Sequence, residues 1–369
     1  MTTLGIRATT GPHPTGHLAL PAVVSDVAAF VAHGHRGAEE LVGGDAPDTP
    51  GAGDPWYPAL WHALGEASRG GGRVRPRLLL GCYRALGGGD EGAAGHVAEA
   101  VELLHSALVI HDDVIDHDAV RRGRPNVSGT FEHLARAAGA DAAAAGQLGS
   151  TAGILAGDLA LVGAVAMIAR TPAPARVVGR LLDLMEDAVR VTAAGELEDV
   201  RFGLGIGTPS LTQVLATEER KTAAYSFALP LQAAAVLVDT HWSLAALEPL
   251  GRIGRLVGTA FQLADDLLGT FGDPAETGKS AVSDLREGKV TALIAHARTT
   301  AAWPRVAAHL GDPDLTEADA TRVRAALEEC GSREFVEGLV DAHLTGARET
   351  ALRAGLPGEL ISALTGVTR

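Results

Sequence analysis

An all-α fold is what this 369-residue chain predicts, on three observations. From Pro58 onward apolar residues recur at helical spacing, and the pattern breaks at clusters of Gly and Pro. No alternating apolar–polar run of any length marks a strand. Hydrophobic residues make up 46% of the chain but aromatics only 4%, so the core must be built from Ala, Leu and Val, which suits closely packed helices.

In chain order, residues 1–55 are rich in Gly, Pro, Thr and His and read as a loosely ordered segment with one helical patch, Val24 to Val42. Gly43 to Pro55 reads as a flexible connection. His13, His17, His33 and His35 lack both the spacing and the cysteine partners of a zinc site. Residues 56–369 read as one helical domain with breaks at Gly87 to Gly89, Arg124 to Pro125, Thr171 to Pro174, Gly203 to Pro209, Gly272 to Pro274 and Gly311 to Pro313. Thr151 to Ala169 is almost long enough to span a bilayer. Asp158 near its centre would cost about 2.5–3.5 kcal/mol there, so a buried core helix is expected and no transmembrane segment. The formal charge of −14 argues against nucleic acid as a partner, because its phosphates would be repelled. Cys82 and Cys330 fit no metal spacing and no disulfide framework, and free thiols in the cytoplasm are expected.

Chemistry concentrates in two stretches. In Leu103 to Pro125, LLHSALVIHDDVIDHDAVRRGRP, an apolar helical run delivers Asp112, Asp113 and Asp116 and is followed by Arg121 and Arg122. Asp112 and Asp116, four apart, stand one turn apart on one helix face. Carboxylates that close repel unless a cation lies between them, and hard oxygen ligands that leave room for substrate phosphates suit Mg2+. The arginines suit the phosphate itself, as planar forks of donors. About 150 residues later, Phe261 to Thr291 again places paired aspartates, Asp265 and Asp266, after an apolar helical run, with Asp273, Lys279, Asp284 and Lys289 behind them. Two such acidic faces across one cavity would hold several metal ions and a polyanion. DPAETGKS at Asp273 to Ser280 nearly fits a nucleotide phosphate loop, but it lacks the first glycine and a preceding strand.

The ordered set resembles the trans-isoprenyl diphosphate synthases of the polyprenyl synthetase family. HDDVID stands for their first aspartate-rich motif and FQLADDLLG for the second, with GGGRVRP at Gly70 to Pro76, His105, GD at Gly157 and Asp158, GELED at Gly195 to Asp199, KT at Lys221 and Thr222, and GKSAVSDLREGK at Gly278 to Lys289. The resemblance implies an isoprenoid synthase fold, a single antiparallel helical bundle around a central cavity, usually homodimeric. It implies head-to-tail prenyl transfer with several Mg2+ ions: an allylic diphosphate (dimethylallyl, geranyl or farnesyl) ionises, isopentenyl diphosphate attacks, and a proton leaves. Asp112, Asp116 and Asp265 then bind metal, with Asp113 and Asp266 as ligands or supports. Arg121, Lys221 and Lys279 stabilise the leaving diphosphate. Arg75, His105 and Arg122 hold isopentenyl diphosphate, and Gln262 and Thr222 belong to the substrate-binding set. Gly157 and Asp158 line or support the cavity. Glu196, Glu198 and Asp199 read as a solvated helix face outside the metal set, and His111 and His117 as structural.

The chain departs from the family pattern at three places. Gly72 stands where a lysine normally grips isopentenyl diphosphate, so Arg73 or another cation must compensate. Gly269 replaces the last aspartate of the second motif, and Val282 a usual glycine. Leu108 and Ala107, four and five residues before Asp112, are not bulky aromatics, which points past farnesyl to geranylgeranyl diphosphate. Two other readings stand beside this one: a terpene-synthase-like lyase that ionises a prenyl diphosphate without isopentenyl diphosphate, and a non-catalytic subunit of a heteromeric synthase.

Overall fold

The computed structural model describes residues 26–43, 55–238, 244–272 and 283–358, and there the chain is all-α apart from one minimal hairpin. Among these residues one compact unit runs through Leu80 and resumes from Gly89 to Leu182. The other takes Gly81–Gly88 and the chain from Asp183 onward.

The first unit holds α1 (Asp26–Gly43), α2 (Trp56–Ala67), the start of α3 (Val74–Ala85), α4 (Glu91–Ile115), α5 (Val127–Ala137), α6 (Ala142–Ala169) and the start of α7 (Ala175–Gly203). The N-terminal patch is helical and packed: Phe30 of α1 meets Trp61 of α2 edge to face at 5.4 Å. Side-chain caps start the central helices, with Asp90 accepting from the Gly92 N–H before α4, Asn126 from Gly129 before α5 and Asp141 from Ala144 before α6. Each satisfies a backbone donor that the first turn leaves orphaned. In α4, Ala94, Val97, Val101, Leu103, Leu104, Ala107 and Ile110 are buried. In α6, Gly149, Gly153 and Gly157 form a stripe four residues apart where added Cβ atoms would strike the Ser128 carbonyl, Val114 and the His111 ring. Small residues at that spacing let α6 lie close against α4 and α5.

Two expectations need correction in this unit. Val120–Arg121 (β1) pairs antiparallel with Arg124–Pro125 (β2), Val120 opposite Pro125 and Arg121 opposite Arg124. Two-residue strands are too short to leave an alternating pattern. Arg122 and Gly123 at the tip both have positive φ, 53° and 73°, as a turn whose twist matches its strands requires. The second correction is α6, which is buried along one side only, with Ile154, Leu155, Val162 and Val165 exposed. By length and composition three helical stretches would reach across a bilayer, Glu91–Ile115, Ala142–Ala169 and Leu211–Val238.

The second unit continues α7 and adds α8 (Leu211–Glu218), a π-helical segment (Glu219–Ala228), α9 (Leu229–Val238), α10 (Leu244–Phe271), α11 (Ser283–Glu287), α12 (Ala292–Ala297), α13 (Trp303–Ala307), α14 (Glu317–Glu329) and α15 (Ser332–Arg353). A capping box, Ser210 with Gln213, opens α8. The run from α8 to α9 is one rod whose middle is underwound to the wider π turn, and the Leu229 N–H still bonds five residues back, to Ala224. α10 packs against this segment, α9 and α15. Leu263, Ala292, Leu293 and Val336 are buried around its second half. Cys82 is buried, its thiol pushed up to about 12 by burial, and Cys330 is partly buried; both are free thiols.

Candidate active site

In the first unit one stripe of α4 gathers the basic groups. Glu99, Glu102 and His105 are three residues apart, so they share a face. Arg73 is ion-paired to buried Glu99. Glu102 is buried; its desolvation raises the carboxyl, while Arg75 and Arg73 nearby work against that. His105 is held far below its ordinary range, at about 2, first by burial and then by the charges of Arg75, Arg122 and Arg121. It is a neutral imidazole at any working pH, able to donate one hydrogen bond and accept one. The Arg122 guanidinium lies over the Gly70–Gly71 loop, where a Cβ on Gly71 would meet it at 2.9 Å. The hairpin therefore brings Arg122, Arg75 and His105 together, as the sequence predicts. Arg73 goes elsewhere, to Glu99.

The end of α4 holds the carboxylates. Arg121 in β1 places Nε 2.5 Å from Asp113 Oδ1 and Nη2 3.4 Å from Asp112 Oδ2. Asp116 caps the helix with its side chain exposed, its N–H bonded to the Asp112 carbonyl. Burial pushes Asp113 up to about 6 against the opposing pull of Arg121, with Asp112 and Asp118 adding to the rise, whereas Arg121 is raised in favour of its charged form. The two ends of the pair disagree, and the 2.5 Å contact decides: the pair is ionised at neutral pH. Asp113 thus anchors Arg121 beside Asp112, a supporting role. Asp158 is exposed on α6, 3.4 Å from His111.

The second unit builds its site on α7, the π-helical segment and α10. Lys221 Nζ lies 2.8 Å from Asp199 Oδ2 and 3.1 Å from Glu196 Oε1, and Arg220 lies 2.5 Å from Glu198. Glu196, Glu198 and Asp199 are therefore ion-paired, where the sequence reading made them a solvated face. The signal that finds Glu196 and Asp199 is their i, i+3 spacing after Gly195. A Cβ on Gly195 would collide with the Lys221 backbone nitrogen, so this glycine sets how closely α7 approaches the lysine. Thr222 Oγ1 donates to Gln262 Oε1 at 3.2 Å, and Gln262 Nε2 donates to Asp266 Oδ1 at 3.0 Å, joining three predicted residues, Thr222, Gln262 and Asp266. Asp266 is buried at 7% exposure, and Asp265 beside it on α10 is half-buried. Glu218, absent from the sequence reading, sits with Asp266 and Asp199. Burial and then those two neighbours raise its carboxyl well above the usual range. Lys279 and Asp273 lie outside the described residues. Lys289 is 3.0 Å from Glu287.

Both regions offer carboxylate oxygens, the donors a hard divalent cation takes. Among the described residues no three His, Cys, Asp or Glu side chains converge as a closed metal cage would require. One or two carboxylates with the remaining positions open to water and phosphate is the arrangement Mg2+ favours, so the residues present fit that ion. In the first unit, cationic groups beside carboxylates and a neutral histidine are the chemistry that suits an anionic phosphate ligand.

Comparison with known proteins names the class. The chain belongs to the polyprenyl synthetase family, whose sequence model matches residues 59–328, and prenyl transfer is the chemistry its relatives share. It is 31% identical over 282 residues to the octaprenyl diphosphate synthase of Escherichia coli K12, covering 74% of this chain and 72% of that one. It is also 31% identical over 295 residues to the (2E,6E)-farnesyl diphosphate synthase of Mycobacterium tuberculosis H37Rv, covering 78% and 75%. Its fold is similar to that of geranylgeranyl pyrophosphate synthase from Corynebacterium glutamicum, solved with isoprenyl diphosphate and magnesium, at TM-score 0.77 and 27% identity over 93% of this chain and 98% of that one. The expected all-α isoprenoid synthase fold is observed.

Proposed function

We propose that this chain condenses isopentenyl diphosphate with an allylic diphosphate, dimethylallyl, geranyl or farnesyl, to an all-trans prenyl diphosphate, and that geranylgeranyl diphosphate is its product. The observation that carries the reading is the grouping at the end of α4. Arg121 is clamped on Asp113 beside Asp112, and neutral His105 lies among Arg75 and Arg122.

Asp112 and Asp116 of the first unit, with Asp113 in support, and Asp265 of the second, with Asp266 in support, would each hold Mg2+, several ions in all. Bound there, the metal would act as a Lewis acid toward the departing diphosphate. The rest falls to the chain. Arg121 and Lys221, with Lys279, neutralise charge that grows on the leaving group, and fixed cations in a dry site do this with little reorganisation. Arg75 and Arg122 hold the second diphosphate, and His105 donates to it without adding a mobile proton. Buried Ala, Leu and Val exclude the water that would quench a cation. Ala107, fully buried on α4, leaves room for a tail longer than fifteen carbons, and Ala107→Phe should shorten the product; an unchanged product distribution would refute that assignment.

We further place the enzyme in the cytoplasm as a homodimer. Ile154, Leu155, Val162 and Val165 are exposed together along α6, and a second copy would cover them. Light scattering on the purified protein tests the dimer.

A lyase acting on the allylic diphosphate alone is favoured by one observation. Gly72 lacks the lysine, and Arg73, which would compensate, is engaged by Glu99. Product analysis separates the two readings. The protein is incubated with Mg2+, isopentenyl diphosphate and each allylic diphosphate in turn, and the dephosphorylated alcohols are sized. A twenty-carbon alcohol that requires isopentenyl diphosphate is expected. Hydrocarbon or cyclised alcohol from the allylic substrate alone would establish the lyase, and no turnover by folded protein would point to a subunit that needs a partner.

A further inference from the structure

One carboxylate on the basic face of α4 stands outside every motif of the sequence. Glu99 is buried at 4% exposure, and its Oε1 accepts from Arg73 Nη2. Arg73 has φ 46°, a left-handed conformation that glycine alone adopts without cost. Gly70 and Gly71 ahead of it, at φ 82° and 75°, enter that region freely. An arginine stays there only where its surroundings over-determine it. The ion pair with Glu99 supplies that hold, and it ties the loop to α4 on the stripe that leads to His105.

The groups assigned to the second diphosphate all depend on where this loop lies. α3 begins at Val74, so the loop aims the first turn, which carries Arg75. The Arg122 guanidinium rests against the same loop, over Gly71. Glu102, the next carboxylate along the stripe, keeps a buried Oε2 without a hydrogen-bond partner, and Arg75 is the cation that acts on it most strongly. Arg73 is thus a strut of the loop, and Arg75 and Arg122 are the cations that the strut sets in place.

We propose that Glu99 is a positioning residue for isopentenyl diphosphate. By holding Arg73 it pins the Gly70–Arg73 loop to α4 and so fixes where Arg75 and Arg122 meet the diphosphate. The inference rests on the reading of this face as the isopentenyl diphosphate site, while Glu99 itself is singled out by its ion pair, its burial and the backbone of Arg73. Glu99 touches no substrate and acts only through the arginine, so its effect belongs to the binding of one substrate and not to the chemical step.

The test is calorimetric binding of isopentenyl diphosphate to the full chain, without allylic substrate, followed by steady-state kinetics with both substrates. Wild type, Glu99→Gln, Arg73→Gln, the Glu99→Gln/Arg73→Gln double variant and Arg75→Gln are compared. Glu99→Gln keeps shape and removes charge, and it should weaken isopentenyl diphosphate binding about tenfold, the scale of one misplaced charge-assisted hydrogen bond. KM for the allylic substrate and kcat at saturation should stay within about twofold of wild type, a split that general damage to the fold would not give. The double variant should bind no more weakly than the weaker single one, because both changes break the same link. Circular dichroism and the melting temperature establish that each variant is folded; should Glu99→Gln fail to fold, Glu99→Asp, one methylene shorter, must show the weakened binding instead. Unchanged affinity in a folded Glu99 variant, with Arg75→Gln weakened, overturns the proposal and leaves the reading of the face intact. Tighter binding overturns it too, since a freed Arg73 would then grip the diphosphate and Glu99 would be its competitor. Failure of Arg75→Gln as well as Glu99→Gln to weaken binding overturns the reading of the face, and the proposal with it.

Discussion

The two aspartate regions solve the same electrostatic problem in opposite ways. At the end of α4 the carboxylates come with their own counter-charges: Asp113 and Asp112 share Arg121, and Glu99 takes Arg73. On α7, the π-helical segment and α10, Lys221 is divided between Glu196 and Asp199 while Glu218 is left against Asp266. The first region is balanced by the chain itself, and a cation added there joins an ordered set of charges. The second is acid-rich and stands to gain more from a cation. A hairpin explains the difference, since two arginines next to each other in sequence are delivered to separate tasks by a turn of two residues.

The largest expected effect comes from removing one carboxylate in each region. Asp112→Asn should lower kcat/KM by about 10²–10³-fold, the scale for losing one fixed stabiliser of transition-state charge. Asp265→Asn should cost less, about 10- to 100-fold, because Asp266 remains beside it. Steady-state kinetics across Mg2+ concentrations measures both. Equal losses would break the contrast between a balanced and an acid-rich region.

Next comes Gly195→Ala. The added methyl group runs into the Lys221 backbone, and overpacking of this kind costs about 1–3 kcal/mol. Urea unfolding should show the loss of stability, and kcat should fall with it, since the shift displaces Lys221 from Glu196 and Asp199. A stability loss with unchanged kcat would show that the lysine's position is not what the close approach protects.

How much of this was legible in the sequence depends on period and length. α4 and α10 were readable because their apolar residues repeat over many turns, and the i, i+4 spacing of Asp112 and Asp116 then follows from geometry. The hairpin was not, because strands of two residues carry no period, although Gly123 is the residue that takes a positive φ most readily. The π turn widens the repeat where Lys221 and Thr222 lie, so a 3.6-residue reading passes over it. Glu218 was hidden because nothing local distinguishes a buried glutamate at a helix end from a solvated one; only α7 and α10, remote in sequence, make it unusual. Glu196 and Asp199 are hidden for the same reason, since their partner Lys221 lies on another segment, 25 and 22 residues along the chain.

A third prediction uses pH to sharpen the account of the first region. The native pKa of His105, about 2, lies below the ordinary 6.5, so the unfolded chain binds the extra proton. Stability is therefore lost as pH falls below about 6.5, at about 1.4 kcal/mol per unit and continuing until the native pKa is reached. Asp113 titrates in the opposite sense, since its native value of about 6 lies above that of a free aspartate and lets the folded state gain a proton first. The comparison is accordingly between variants. His105→Gln should make unfolding midpoints fall less steeply between pH 6.5 and 5, by about 2 kcal/mol over that span. Parallel pH profiles for the two proteins would mean that His105 is not held neutral by burial and arginines.

The smallest effect is a gain. Gly72 sits in the loop ahead of α3 between residues of positive φ, yet its own φ is ordinary, and a Cβ there meets only Val74 at 3.5 Å. A side chain therefore fits without backbone strain. Arg73 next to it is committed to Glu99 and Arg122 lies over Gly70 and Gly71, so the family's lysine has no stand-in at its own position. Gly72→Lys should add one charge-assisted hydrogen bond to a diphosphate, about 1.5 kcal/mol and so roughly a tenfold lower KM for isopentenyl diphosphate with kcat little changed. A fall in KM confined to isopentenyl diphosphate would fix this loop as its site. A lower KM for the allylic substrate instead would reverse the assignment of the two diphosphates. No change in either would mean that the arginines already saturate the site, and that the glycine is an adaptation of the loop rather than a loss of grip.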